Sequence, residues 1–207
     1  MHNIKVTLNG ELCIYECLYR KKHSALTAEL YRLYFVNRHS KFVIRHSLLH
    51  PLPGTYALIF RAKRKKRLII GKLGILKLQP GYYVYVGSAF GPGGLRARIG
   101  HHRKSSSRRH WHIDYLSEHL APDEAWYTHD PTHREHHWSE VLSHTAGASI
   151  PLPGFGSSDC RCISHLYFFS SRPSGNYFRR KIHAGVDGHA RIFAEKFLDI
   201  NSISDIH

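Results

Sequence analysis

The sequence predicts an α/β fold in which a small mixed central sheet of three or more strands is flanked by helices. Two short runs, TYALIF at 55–60 and YYVYVG at 82–87, are dense in aromatic and β-branched residues. Pro51-Leu52-Pro53-Gly54 and Gln79-Pro80-Gly81 precede them and read as turns. Downstream of Gly94 the apolar spacing shifts to a period near 3.6 residues, the mark of amphipathic helices. A length of 207 residues suits one main domain with extensions, and 42% hydrophobic residues supply a core.

Taken in order, residues 1–50 have mixed composition and form an N-terminal extension to which no role can be given. Within it, 26–37 is compatible with a helix of poor periodicity. The main domain is expected over 51–170. After the strand at 55–60, RAKRKKR at 61–67 and LIIG at 68–71 suggest a hairpin with a charged tip. GSAFGPGG at 87–94 is a glycine-rich loop, and a helix follows from Leu95. Leu95, Ile99 and His102 share one face of it, with Arg98 about 40° from His102 on the same side. A second helix is expected over 111–120, with Ile113, Leu116 and Leu120 inward, and a third over 133–145, with Trp138, Val141 and Leu142 inward. Glu135 projects from the edge of that third face, and Glu140 from the opposite side. A carboxylate beside an apolar stripe is costly unless paired or bound to a cation, which singles out Glu135. HLYFF at 165–169 reads as a fourth strand, and 171–207 as a C-terminal extension with a helix near 190–199.

Charge points to the partner. Thirty Lys+Arg against fifteen Asp+Glu give +15 at pH 7. Such a balance favours a polyanion, nucleic acid being the usual one. Six of the seven residues at 61–67 are basic: Arg61, Lys63, Arg64, Lys65, Lys66 and Arg67. Arg103, Lys104, Arg108 and Arg109 make a second cluster. These are either solvated surface or phosphate-contacting patches bracketing a site, which would bind without sequence preference and weaken steeply with salt. No apolar stretch approaches the ~18 residues that span a bilayer. No secretory h-region is visible, so a soluble, cytoplasmic, intracellular protein is expected, one that could associate with the nucleoid. Four cysteines, Cys13, Cys17, Cys160 and Cys162, make no disulfide framework in a chain this long, and reduced thiols are the default.

Several strings together resemble a known family. Gly54-Thr55-Tyr56 followed by Tyr85-Val86-Gly87 is similar to the paired motif of the GIY-YIG nucleases. Leu95-x-x-Arg98 follows on a helix, His102 comes one turn later, and Glu135 lies 37 residues beyond the arginine. Tyr, Tyr, Arg, His/Tyr, Glu is the family's order. GTY at 54–56, YVGSA at 85–89, GLRAR at 94–98, WHIDYL at 111–116 and GFGSSDCRC at 154–162 most resemble a subfamily of stand-alone GIY-YIG-like domains of unknown function, over about 51–170. Ser88 and the longer loop Phe90–Gly94 depart from the nuclease pattern. The resemblance implies an endonuclease that hydrolyses phosphodiester bonds, in DNA above all, in repair or on particular DNA structures. The same fold without turnover would be a nucleic-acid-binding module.

The chemistry of the residues is compatible with that implication. Glu135 can ligate one Mg²⁺ or Mn²⁺ that contacts a phosphate. Arg98 can fork onto phosphate oxygens as charge builds. A tyrosine can take a proton from water only if its pKa, near 10 when free, is lowered by a cation or an arginine. The resemblance implies that Tyr56 or Tyr85 is that base, the other orienting water or phosphate, without deciding which. His102 would donate or relay a proton. Gly87 lets a backbone approach the ligand, with Ser88 beside it. Separately, Cys160, Cys162 and His165 make half a zinc site that Cys13, Cys17, His110 or His112 could complete, unless the thiols are simply buried. HREHH at 133–137 reads either as a metal scavenger or as an exposed helix start.

Overall fold

The computed structural model describes residues 49–104 and 109–197 and, ahead of them, the backbone of four strands. The chain divides into Met1–Leu48 and Leu49–His207. In the first unit β1 (His2–Leu8) pairs with β2 (Glu11–Cys17), and β3 (Leu33–Asn37) pairs with β4 (Ser40–Ile44), both antiparallel. The helix expected over 26–37 is therefore corrected: residues 33–37 are a strand, as their β-branched and aromatic content favours, and 26–32 lie outside the described residues.

The second unit runs β5 (Thr55–Ala62), β6 (Lys66–Ile70), β7 (Gly74–Leu78), β8 (Gly81–Ser88), α1 (Gly94–Arg103), α2 (His112–Ser117), β9 (Pro122–Thr128), α3 (Glu135–Ser143), β10 (Leu166–Phe169), α4 (Gly175–Gly185) and β11 (Ile192–Lys196). Five of these strands form the central sheet in the order β10-β8-β5-β9-β11, and β6 and β7 form a separate ribbon. The α/β class with helices on the sheet is the one expected. Every strand pairing is antiparallel, however, where a mixed sheet was expected.

Both faces of the sheet are covered. Tyr56, Leu58, Phe60 and Ala62 of β5 face Leu95 and Ile99 of α1, Ile113 and Leu116 of α2, and the inner side of the β6–β7 ribbon. Ala57 and Ile59 join Trp138 and Leu142 of α3 and Phe178 and Ile182 of α4 on the other face. A strand buried on both sides needs no apolar–polar alternation, which is why β5 reads as an unbroken apolar run.

Three further expectations are corrected. Residues 61–67 do not cap a β5–β6 hairpin: Arg61 is still on β5, Lys66 and Arg67 already belong to β6, and β6 turns back onto β7. The helix near 190–199 is strand β11, paired with β9. Residues 171–197 are no appendage, since α4 joins the core and β11 the sheet, and 198–207 lie outside the described residues. Among the described residues, no helix is long and apolar enough to cross a membrane.

Candidate active site

The site grows from the start of β5. Tyr56 lies opposite Gly87 across the β5–β8 pair, and Leu58 opposite Tyr85, so the two tyrosines are diagonal neighbours on one face. Their ring centroids are 6.4 Å apart. Gly87 is required here by space: a Cβ on it would stand 2.6 Å from the Tyr56 hydroxyl. Gly156, at φ +72°, lets the 154–165 loop close against Tyr85, whose ring a Cβ would meet at 2.9 Å.

Helix α1 crosses this face with Leu95 and Ile99 buried, and their stripe carries His102 inward one turn later. His102 Nε2 is 2.9 Å from the Tyr56 hydroxyl. Its Nδ1 faces Asp114 Oδ1 at 3.6 Å, and His101 Nε2 lies 3.4 Å from the same oxygen. An ionised carboxylate only accepts, so the proton of neutral His102 sits on Nδ1 and Nε2 accepts from the phenol. Asp114 Oδ2 takes the backbone N–H groups of His110 and Trp111, both at 2.9 Å, locking the start of α2. Burial alone would raise the Asp114 carboxyl. The His102 imidazole beside it and the hydrogen bonds from Trp111 and His110 outweigh it and hold the group down at about 2. For His102 the balance runs the other way: burial depresses it, and Asp114 only partly restores it.

Arg98 stacks its guanidinium on the Trp111 ring at 4.2 Å, which directs the charge along the wall of the site. It forms no ion pair among the described residues and so keeps its charge for a ligand. Glu135 opens α3, whose start is pinned to β5 by the Arg134 N–H on Thr55 Oγ1 at 3.1 Å, one residue before Tyr56. Tyr56, Tyr85, Gly87, Ser88, Arg98, His102 and Glu135 all line one cavity of about 260 Å³, which Asp159, Ser158 and His165 also line. The two phenols do not carry the lowered pKa expected of a base. Burial pushes Tyr56 and Tyr85 well up, and Arg98 pulls against it without prevailing.

The basic residues distribute unevenly. Arg61, Lys63, Arg64, Lys65, Lys66 and Arg67 are exposed, and Arg61 lies five residues, about 17 Å, along β5 from Tyr56. None of the six lines the cleft. Arg103 and Lys104 end α1 within about two turns of Arg98, with Arg103 over the Phe197 ring. Arg109 is forked onto Glu118 and stacked on Tyr115, while Arg108 lies outside the described residues.

Cys160, Cys162 and His165 do converge, and the residue that joins them is His136 of α3. Of the completions expected from sequence, His112 already accepts the Gly156 N–H at 3.0 Å. Nothing is described of the Cys13 and Cys17 side chains. Burial raises the Cys162 thiol to about 11, with Cys160 beside it adding to the rise. Asp114, buried and central to the site, was not singled out from sequence, although it stands three residues after Trp111 where a helix-start acceptor belongs.

No curated protein and no solved structure matches the chain significantly. A family profile does, over residues 55–186, which includes every cleft residue named above. The chain thus belongs to DUF123, a family described as a domain of unknown function.

Proposed function

We propose that this chain is a GIY-YIG-type endonuclease that hydrolyses phosphodiester bonds in DNA, in the cell interior. One observation carries the reading: five polar side chains from β5, β8, α1 and α3 meet in one cleft, in the order and chemistry of that family. A divalent Mg²⁺ or Mn²⁺ fits the donor set, because Glu135 offers a half-buried carboxylate to the cleft and Asp159 a second on its wall. Bound through Glu135, such an ion would supply positive charge to the phosphate and the leaving oxygen.

The protein's own groups account for the proton. Tyr56 donates to His102 Nε2, so its oxygen can take a proton from an attacking water while its own moves to the imidazole. Asp114 stabilises the resulting imidazolium, as the acid of a catalytic triad does. This geometry favours Tyr56 as the base, a choice the motif left open. Arg98 stands where charge builds on the phosphate. Tyr85, without such an acceptor, orients water or phosphate.

A second reading is a binding module on the same fold without turnover. The upward shift of both phenols favours it, because a tyrosine that stays protonated binds phosphate and acts as a base only if it passes its own proton on. Incubation with nicked, branched and supercoiled DNA and Mg²⁺ or Mn²⁺ separates the two. The nuclease reading predicts cleavage that falls about 10²–10³-fold in Arg98→Ala and Glu135→Ala. Salt-sensitive binding with no cutting under either metal would establish the module, and cleavage untouched by both substitutions would remove this mechanism.

A further inference from the structure

A group of two cysteines and two histidines gathers beside the cleft. Cys160, Cys162, His165 and His136 each offer one ligand atom, and the four atoms all lie within 4.8 Å of one another. Zinc bound by two thiolates and two imidazoles is tetrahedral, with Zn–S near 2.3 Å and Zn–N near 2.0–2.1 Å, so a sulfur and a nitrogen of one site stand about 3.6 Å apart. Cys160 Sγ and His165 Nε2 are 3.5 Å apart. Both cysteines are free thiols and only partly exposed.

The ligands arrive from two independently fixed elements. The 154–165 loop is closed on itself by Gly154 N–H to Ile163 O at 2.7 Å and His165 N–H to Phe155 O at 2.8 Å. Those bonds bring Cys160, Cys162 and His165 to one point. His136 comes from the first turn of α3, which Thr55 anchors to β5. We infer that Cys160, Cys162, His165 and His136 form a structural zinc site that ties this loop to the start of α3. Four protein ligands leave no open position, so the ion supplies no nucleophile. Sulfur and nitrogen donors select zinc over magnesium, which separates this site from the oxygen donors of the cleft. Its consequence is positional: His136 adjoins Glu135, and His165 lines the cleft, so the ion would set the rotation of the turn that aims the Glu135 carboxylate.

The inference stands apart from the nuclease reading, because its test reads metal and not cleavage. The full chain, purified reduced and reconstituted with one equivalent of Zn²⁺, is expected to hold one zinc through gel filtration. Replacement by Co²⁺ should give thiolate charge-transfer absorption and the intense d–d bands of a tetrahedral ion. His136→Ala alters a mostly exposed side chain, leaves the fold intact by circular dichroism, and should weaken zinc at least about tenfold. Cys160→Ser with Cys162→Ser should abolish the cobalt spectrum. Thiols that react equally fast with and without zinc, a Cys160–Cys162 disulfide in the reconstituted protein, or zinc retention unchanged by His136→Ala would each overturn it.

Discussion

His102 is 2% exposed, and its imidazole has left water for a place where burial disfavours the charged form. Its folded pKa therefore lies below the ordinary 6.5, and between the two values the unfolded chain binds the extra proton. Stability should fall as pH drops from 6.5 through the folded value. An NMR titration with the His102 resonance assigned should find that imidazole below 6.5, and Asp114→Asn should move it lower by removing the carboxylate that supports it. An unshifted His102 in that variant would break the link to Asp114. Asp114 adds a second window: held at about 2 against 3.8, it stabilises fully above 3.8 and loses that contribution as pH falls toward 2. Urea midpoints measured from pH 7 to pH 2 should decline in both windows. At Gly87 the constraint is steric. Gly87→Ala puts a carbon 2.6 Å from the Tyr56 hydroxyl and should cost about 1–3 kcal/mol in denaturant unfolding, with Tyr56 displaced.

Among the elements, α3 is the one whose placement matters most, since it presents Glu135 from the opposite sheet face to Tyr56. Its link to β5 is the Arg134 N–H on Thr55 Oγ1. Thr55→Val keeps the shape and removes the acceptor, so stability should drop by only about 1 kcal/mol while any cleavage drops much further. Equal losses in the two measurements would deny the anchor a positioning role. Elements were legible where apolar spacing was sufficient evidence. The β5 and β8 runs, the Leu95–Ile99–His102 stripe and the Trp138–Leu142 face all announce themselves. β9 did not, because PDE opens it and Pro122 reads as a helix stop; Glu124 is buried there only because the Trp126 indole N–H and Arg172 satisfy it. α4 was missed although Ser174 caps it and Phe178 and Ile182 stand one turn apart, a pattern hidden by the exposed basic residues between them. Site residues carried by those clear elements were readable. The pairing of His102 with Asp114, and of His136 with the distant cysteines, depends on which elements pack together, and local spacing does not encode that.

For the whole molecule, +15 of charge is not focused on the cleft alone. The basic residues of 61–67 are exposed from the end of β5 to the start of β6, and Arg103 and Lys104 end the helix that carries Arg98. Clustered basic side chains of this kind contact a duplex chiefly through its phosphates. Neutralising Lys63, Arg64 and Lys65 together should therefore weaken DNA binding across sequences and flatten the log K against log salt slope by about 0.9 per lost phosphate contact. An unchanged slope would show the group to be solvated surface. The central claim, that the tyrosine and the glutamate belong to one hydrolytic centre, is tested most directly by single-turnover cleavage of supercoiled DNA in Mg²⁺ by the full chain, by Tyr56→Phe, by Glu135→Gln and by the double variant. Groups that act as a unit are strongly non-additive. Each single change should lower the rate about 10²-fold or more, and the double change little further. Wild-type rates in either single variant, or losses that multiply in the double, would contradict it.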